Sequence, residues 1–265
     1  MGGKRMKLKL TRRLFAAIVC IFFISSISFA QEVETDYLHW KGTKLYSESS
    51  YEEALDYFES AVSQDANYTD SWLYLGHTLR ILKDYNGSID SYDRALELDP
   101  SSAAAWDGKA NAYAAQKDYE NAASAVFEAA LLSPNNKWYW YKLGDYQQRL
   151  GMFDESLKAF DNATAIDPNY KEANYRKGVS VMAAGDPMGA IKHFDAAIGI
   201  DPEYYLAYNA KGLALEAAGQ YNDALNSYDR ALEINPNFGQ AKNNRMHVLL
   251  RLKSFNEAMD TFINL

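Results

Sequence analysis

The sequence predicts an all-helical chain assembled from one repeated helix pair, and three observations predict it. Five of the six prolines, Pro100, Pro134, Pro168, Pro202 and Pro236, stand 34 residues apart with no insertion between them. Small residues recur in the same phase, and large aromatic residues recur in a complementary one. A fixed period of this length is the mark of a stacked repeat, in which each unit buries its apolar face only against its neighbours.

With the prolines at position 32, repeats start at residues 35, 69, 103, 137, 171, 205 and 239. Position 8 then reads Gly42, Gly76, Ala110, Gly144, Gly178, Gly212 and Met246. Positions 20 and 27 are Ala or Ser almost throughout, from Ala54 and Ala61 to Ala224 and Ala231. These mark places where one helix backbone approaches another closely. Large side chains fill the complementary places: Trp72, Trp106, Trp140 and Tyr208 at position 4, and Phe58, Tyr92, Phe160, Phe194 and Tyr228 at position 24. Positions 4, 8 and 11, and again 20, 24 and 27, share one face of a helix. Each repeat therefore reads as two helices.

The punctuation agrees. Gly151, Gly185 and Gly219 at position 15 suit the left-handed residue that closes a first helix, and Asp186-Pro187 offers an N-cap with proline at the first helical position. The proline at position 32 disfavours helix in the residue before it and so stops the second helix.

Trp72-x-x-Leu75-Gly76, Tyr85, Tyr92, Ala95 and Pro100 resemble the tetratricopeptide repeat, as do Trp140, Leu143-Gly144, Phe160, Ala163 and Pro168. The resemblance runs over residues 35–265. It implies a right-handed α-α superhelix, a solenoid of about seven 34-residue helix pairs whose concave surface holds a peptide or protein segment. The first repeat departs from the pattern with Leu38 and Ala66, and the fifth with Asn174 and Pro187. The last copy stops at Leu265 without a covering helix, so Met259, Phe262 and Ile263 suggest either self-association through an uncapped end or a natural truncation.

Composition narrows the functions. The 265 residues are 48% apolar and include 20 Tyr, which points to a packed protein. Six of the 27 basic residues and none of the 35 acidic ones fall in residues 1–30, which leaves the rest at a net charge of about −14. An acidic body is poorly suited to nucleic acid, whose binding releases counterions from phosphates to a cationic surface. The one cysteine, Cys20, lies in the apolar run 14–30, so no disulfide and no thiolate cluster are expected.

That basic stretch, the apolar run and Ser28-Phe29-Ala30 have the form of a secretory signal, with domain boundaries at 1–30 for a signal peptide or signal anchor and 31–265 for the repeats. The expectation is an extracytoplasmic protein, secreted or tethered to a membrane through residues 14–30. Thr11-Arg12-Arg13-Leu14-Phe15 also resembles a twin-arginine signal. Asn67, Asn86 and Asn162 fall in N-glycosylation triplets.

No catalytic constellation stands out. Residues 31–265 hold no cysteine nucleophile, and the four histidines are His39, His77, His193 and His247. His39 and His77, at positions 5 and 9 of adjacent repeats, are candidates to meet, but two histidines do not make a metal site. A non-enzyme without cofactor or metal is expected.

The resemblance places the concave surface at positions 2, 5, 9 and 12 of the first helices. Read through the middle of the chain, the candidate peptide-binding residues are Trp138, Tyr141, Asp145, Tyr175, Val179, Met182, Leu206, Asn209 and Leu213, with Gln148, Glu172 and Glu216 alongside. Large aromatics with polar neighbours are the pattern of a binding hot spot. The opposing reading is that Tyr141 and Tyr175 only pack between helices. The clamp for a free C-terminal carboxylate, with lysine at position 5, is excluded, since that position reads His39, Leu73, Asp107, Tyr141, Tyr175, Asn209 and Asn243. The run Trp138-Tyr139-Trp140-Tyr141 supports the alternative of a cell-surface saccharide-binding protein.

Overall fold

The computed structural model describes residues 31–252. The leader expected over 1–30, Cys20 within it, and Met259, Phe262 and Ile263 lie outside them. Among the described residues the regular structure is entirely α-helical. The first helices of the repeats are α1 (31–47), α3 (Thr69–Ile81), α5 (Ala103–Ala115), α7 (Lys137–Arg149), α9 (Lys171–Ala183), α11 (Tyr205–Ala217) and α13 (Gly239–Arg251). The second helices are α2 (Tyr51–Gln64), α4 (Tyr85–Leu98), α6 (Tyr119–Leu132), α8 (Phe153–Ile166), α10 (Pro187–Ile200) and α12 (Tyr221–Ile234). From α3 to α13 every first helix begins at position 1, and from α2 to α12 every second helix spans positions 17 to 30. The all-helical class and the helix-pair register expected from the period are the ones observed.

The chain divides into two compact units, one through Ala112 and one from Tyr113. In the first, α2 packs on α3 and α3 on α4. In the second, consecutive helices from α6 to α13 pack on one another in series.

The small residues at position 8 have a direct cause. A Cβ added to Gly144 would lie 2.7 Å from the Phe160 ring, one on Gly178 2.5 Å from Phe194, and one on Gly212 2.5 Å from Tyr228. The first unit repeats this at Gly42 against Phe58 and Gly76 against Tyr92, both at 2.7 Å. Inside each of these hairpins an aromatic ring lies against the backbone of the first helix, and Phe58, Tyr92, Phe160, Phe194 and Tyr228 are fully buried. Each such side chain contributes roughly 2–3 kcal/mol of apolar burial.

Polar groups set the helix ends. Asp84, Asp118 and Asp186 cap α4, α6 and α10 by accepting from the backbone N–H of Gly87, Asn121 and Gly189. At position 31 the carboxylates of Asp65, Asp99, Asp167 and Asp201 accept from the backbone two residues on, which turns the chain into the next repeat. The indole N–H groups of Trp72, Trp106 and Trp140 donate to the carbonyls of Ala66, Pro100 and Pro134, so the position-4 tryptophans pin the same turn. Gly151, Gly185 and Gly219 take positive φ as expected, but so do Ser49, Lys83 and Lys117 at the same position, with φ of 63–68°. The turn, not the glycine, is the constant.

Candidate peptide-binding face

The candidate residues all lie in the second unit, on the first helices α7, α9 and α11. These neighbour one another, as α11 neighbours α13. Polar side chains bridge them. The Gln148 amide donates to Ser180 Oγ at 2.9 Å and to the Arg176 carbonyl at 3.2 Å, and Gln148 Oε1 accepts from Arg176 at 3.0 Å. Arg176 also pairs with Asp145 Oδ1 at 3.0 Å, while Asp145 Oδ2 accepts from Arg149 Nε at 2.8 Å. Farther along, Asn244 donates to Asn209 Oδ1 at 3.0 Å. Asn209 is buried and belongs to the wall, and its partner Asn244 is half-buried.

At one end Trp138 is 55% exposed. Its ring stands edge-on to Tyr170 at 5.3 Å, and the Lys137 ammonium lies 5.3 Å from the Trp138 ring and 4.7 Å from that of Tyr170. The same ammonium pairs with Asp167 Oδ2 at 2.5 Å, and that bond holds the Asp167 carboxyl below its usual range. Lys171, Tyr204 and Asp201 repeat the arrangement one repeat on. A cation held over two rings and against a carboxylate fixes the aromatic surface in place.

Tyr141 and Tyr175 are half-buried, and each touches two rings. Tyr141 lies 5.7 Å from Phe160 and 5.1 Å from Tyr170; Tyr175 lies 5.9 Å from Phe194 and 5.6 Å from Tyr204. Both therefore support the hairpin interior while presenting their remaining surface. Burial pushes the Tyr170, Tyr175 and Tyr204 phenols up, so at neutral pH all three are uncharged.

Val179 and Met182 lean on the cluster of Ala190, Phe194, Ala210 and Ala214, and Leu213 leans on Leu215, Ala224, Tyr228 and Val248. Leu206 is half-buried on α11. Met182 and Leu213 open into a cleft of about 540 Å³ walled by Glu216, Asn244, His247 and Arg251. Glu216 accepts from the Tyr228 hydroxyl at 3.1 Å and bonds His247 Nδ1 at 2.7 Å.

Arg176, Tyr170 and Tyr204 are contributors that the sequence reading missed. The aromatic run at position 34, Tyr68, Tyr170, Tyr204 and Phe238, was the available signal for the tyrosines. Position 6 follows no single chemistry, running through Trp40, Tyr74, Gly108, Lys142, Arg176, Ala210 and Asn244, and gave no signal for Arg176. In the first unit His39 and His77 do not bond each other: Tyr74 lies between them, 5.6 Å from one ring and 6.0 Å from the other. His39 bonds Ser71 and His77 bonds the Tyr92 hydroxyl. Among the described residues no group of three or more His, Cys, Asp or Glu could hold a metal, and no helix is long and apolar enough to cross a membrane. With its cations paired, this face offers apolar and aromatic surface framed by amides, an arrangement suited to gripping side chains and main-chain groups.

The chain is similar to several solved structures. One is YrrB, described as a TPR protein with an unusual peptide-binding site, at 24% identity over 69% of this chain and 95% of that one, with a TM-score of 0.60. Another is MamA, at 24% identity over 63% of this chain and 92% of that one, with a TM-score of 0.61. A tetratricopeptide repeat protein from Parabacteroides merdae shares 14% identity over 86% of this chain and 91% of its own, with a TM-score of 0.67. At such identities the likeness is one of fold. No curated protein matches the chain. Tetratricopeptide repeat models match residues 41–103, 82–137, 141–205 and 205–238, most of the chain. On that match and the helix-pair register, the chain belongs to the tetratricopeptide repeat family.

Proposed function

We propose that the protein is a non-catalytic scaffold that holds an extended or helical protein segment against α7, α9 and α11, outside the cytoplasm. Tetratricopeptide repeat proteins generally serve as protein-interaction scaffolds, and a peptide-binding site is reported for YrrB. The observation that supports the site is Trp138: a large ring, 55% exposed, held in one orientation by Lys137 and Tyr170, at the head of an apolar line through Tyr141, Tyr175, Val179 and Met182. An anchor fixed before binding loses little side-chain entropy on contact.

The test is a pull-down from native cell envelopes followed by titration of the recovered partner. Trp138→Ala combined with Met182→Ala should weaken binding by about 2 kcal/mol or more while helicity is kept. Unchanged affinity would remove the site but leave the fold. The extracytoplasmic address rests on the leader-like residues 1–30, and the intact mass of protein from its native host checks it: cleavage after Ala30 supports export with removal.

A further inference from the structure

Where a second helix runs against the next first helix, position 25 of one repeat faces position 7 of the following one. At four such places an aspartate pairs with a cation across 2.5–2.6 Å: Asp93 with Lys109, Asp161 with Lys177, Asp195 with Lys211 and Asp229 with Arg245. Between α6 and α7 the two positions hold Phe127 and Leu143 instead. Phe127 is 41% exposed, and Leu150 and Met152 beside it are exposed as well. Together with Leu143 they line a cleft of about 350 Å³ in which Glu120 is the sole charged wall residue. Gln147 is also in this wall, and its Oε1 is shut away from solvent without a hydrogen-bond partner. The same repeat position holds Leu45, Leu79, Tyr113, Val181, Leu215 and Leu249 elsewhere. A wall finished for stability alone would carry leucine there.

We propose that this cleft is a second docking surface, separate from the face of α7, α9 and α11, and that it receives the apolar ridge of a cationic amphipathic helix from another protein. An apolar side chain enters beside Phe127 and Leu143, and a lysine or arginine on the flank of the helix faces Glu120. Charge selects this occupant. Residues 31–265 carry a net charge of about −14, so a second copy brings a like-charged body, whereas a cationic helix is drawn in. At the four ion-paired junctions an incoming apolar group would have to desolvate an ion pair; here it meets carbon.

The probe is a fluorescein-labelled peptide of about 18 residues, five helical turns, with leucine along one face and lysine on the others. Its anisotropy is followed on titration with the full chain, beside a peptide of the same composition with the leucines scattered. The decisive variant is Phe127→Asp with Leu143→Lys, which installs the pair found at Asp161 and Lys177 and leaves net charge unchanged. The ordered peptide should bind the native chain and lose at least about tenfold in affinity with the double variant, circular dichroism showing the helices intact. If that variant fails to fold, Met152→Ser and Phe127→Ser give the same reading singly. Equal binding by the native chain and the double variant, or equal binding of the scattered peptide, overturns the proposal. So does loss of the probe in Trp138→Ala, which would put the peptide on the other face. Light scattering covers the remaining occupant: self-association of the native chain that the double variant abolishes and the peptide does not compete with would assign the cleft to a second copy.

Discussion

Two neighbouring junctions of the second unit, α6 against α7 and α8 against α9, make the same contact with different chemistry. At one, Phe127 meets the position of Leu143; at the other, Asp161 pairs with Lys177 at 2.5 Å. The hairpins that follow are alike inside, with Gly144 under the Phe160 ring and Gly178 under the Phe194 ring. The difference teaches that two hairpins can keep the same glycine and ring inside while the seams that precede them differ in chemistry. Geometry explains this. The interior ring has backbone on its far side and nowhere to go, whereas the seam has solvent on one side and admits any pair that fills or solvates it.

The strongest way to break that contrast is Gly144→Leu. The added side chain must displace a fully buried ring from a backbone it already touches, and the loss should be about 3 kcal/mol or more by chemical denaturation. An unmoved midpoint would mean that the interior is as permissive as the seam.

A second test asks whether the interior tolerates a change of charge. In the first unit the ring on the glycine is Tyr92, whose hydroxyl bonds His77 Nδ1 at 2.7 Å. Burial, aided by Arg80, holds the His77 pKa down to about 4 from 6.5. Between those values the unfolded chain binds the proton and the folded one does not, so stability falls as pH drops from about 6.5 to about 4 and is fully kept above that window. The decline should be on the order of 2–3 kcal/mol, and His77→Gln should flatten it. Some slope will remain, because burial also lowers the pKa of His39 and His193. Thermal melts across that pH range read the difference.

The smallest effect belongs to the seam. Asp161→Phe with Lys177→Leu copies the apolar junction onto the charged one and should leave stability within about 1 kcal/mol of native, since replacing both partners of a polar pair by apolar groups that fill the space is nearly neutral. Asp161→Leu alone should cost more, because the side chain of Lys177 is only 14% exposed and loses its carboxylate. If the double change costs more than the single one, the two seams are not interchangeable.

Most of the fold was legible from sequence because its determinants are local and recur. Gly144 and Phe160 sit sixteen residues apart, as do Gly178 and Phe194, and nothing intervenes to blur the phase. The positive-φ turn was legible at Gly151, Gly185 and Gly219 and hidden at Ser49, Lys83 and Lys117, where the fold imposes a backbone those residues do not advertise. The candidate face was legible in outline. Its pattern of exposed and half-buried apolar residues followed from repeat position, yet the bridge from Gln148 through Arg176 to Asp145 joins side chains of two helices and leaves no periodic trace. The cleft at Phe127 was invisible for the opposite reason: in sequence, phenylalanine and leucine read as core, and only the exposure of the ring shows otherwise.

The unbroken spacing of the repeats gives the molecule adjustable reach. Excising residues 171–204 would join Tyr170 to Tyr205, the same two residue types that meet at Tyr204 and Tyr205 now, and would bring Asp161 opposite Lys211 in place of Lys177. A gene that gains or loses one such module keeps every seam in register, so the span a bound segment can occupy grows or shrinks in fixed increments without any new interface having to arise.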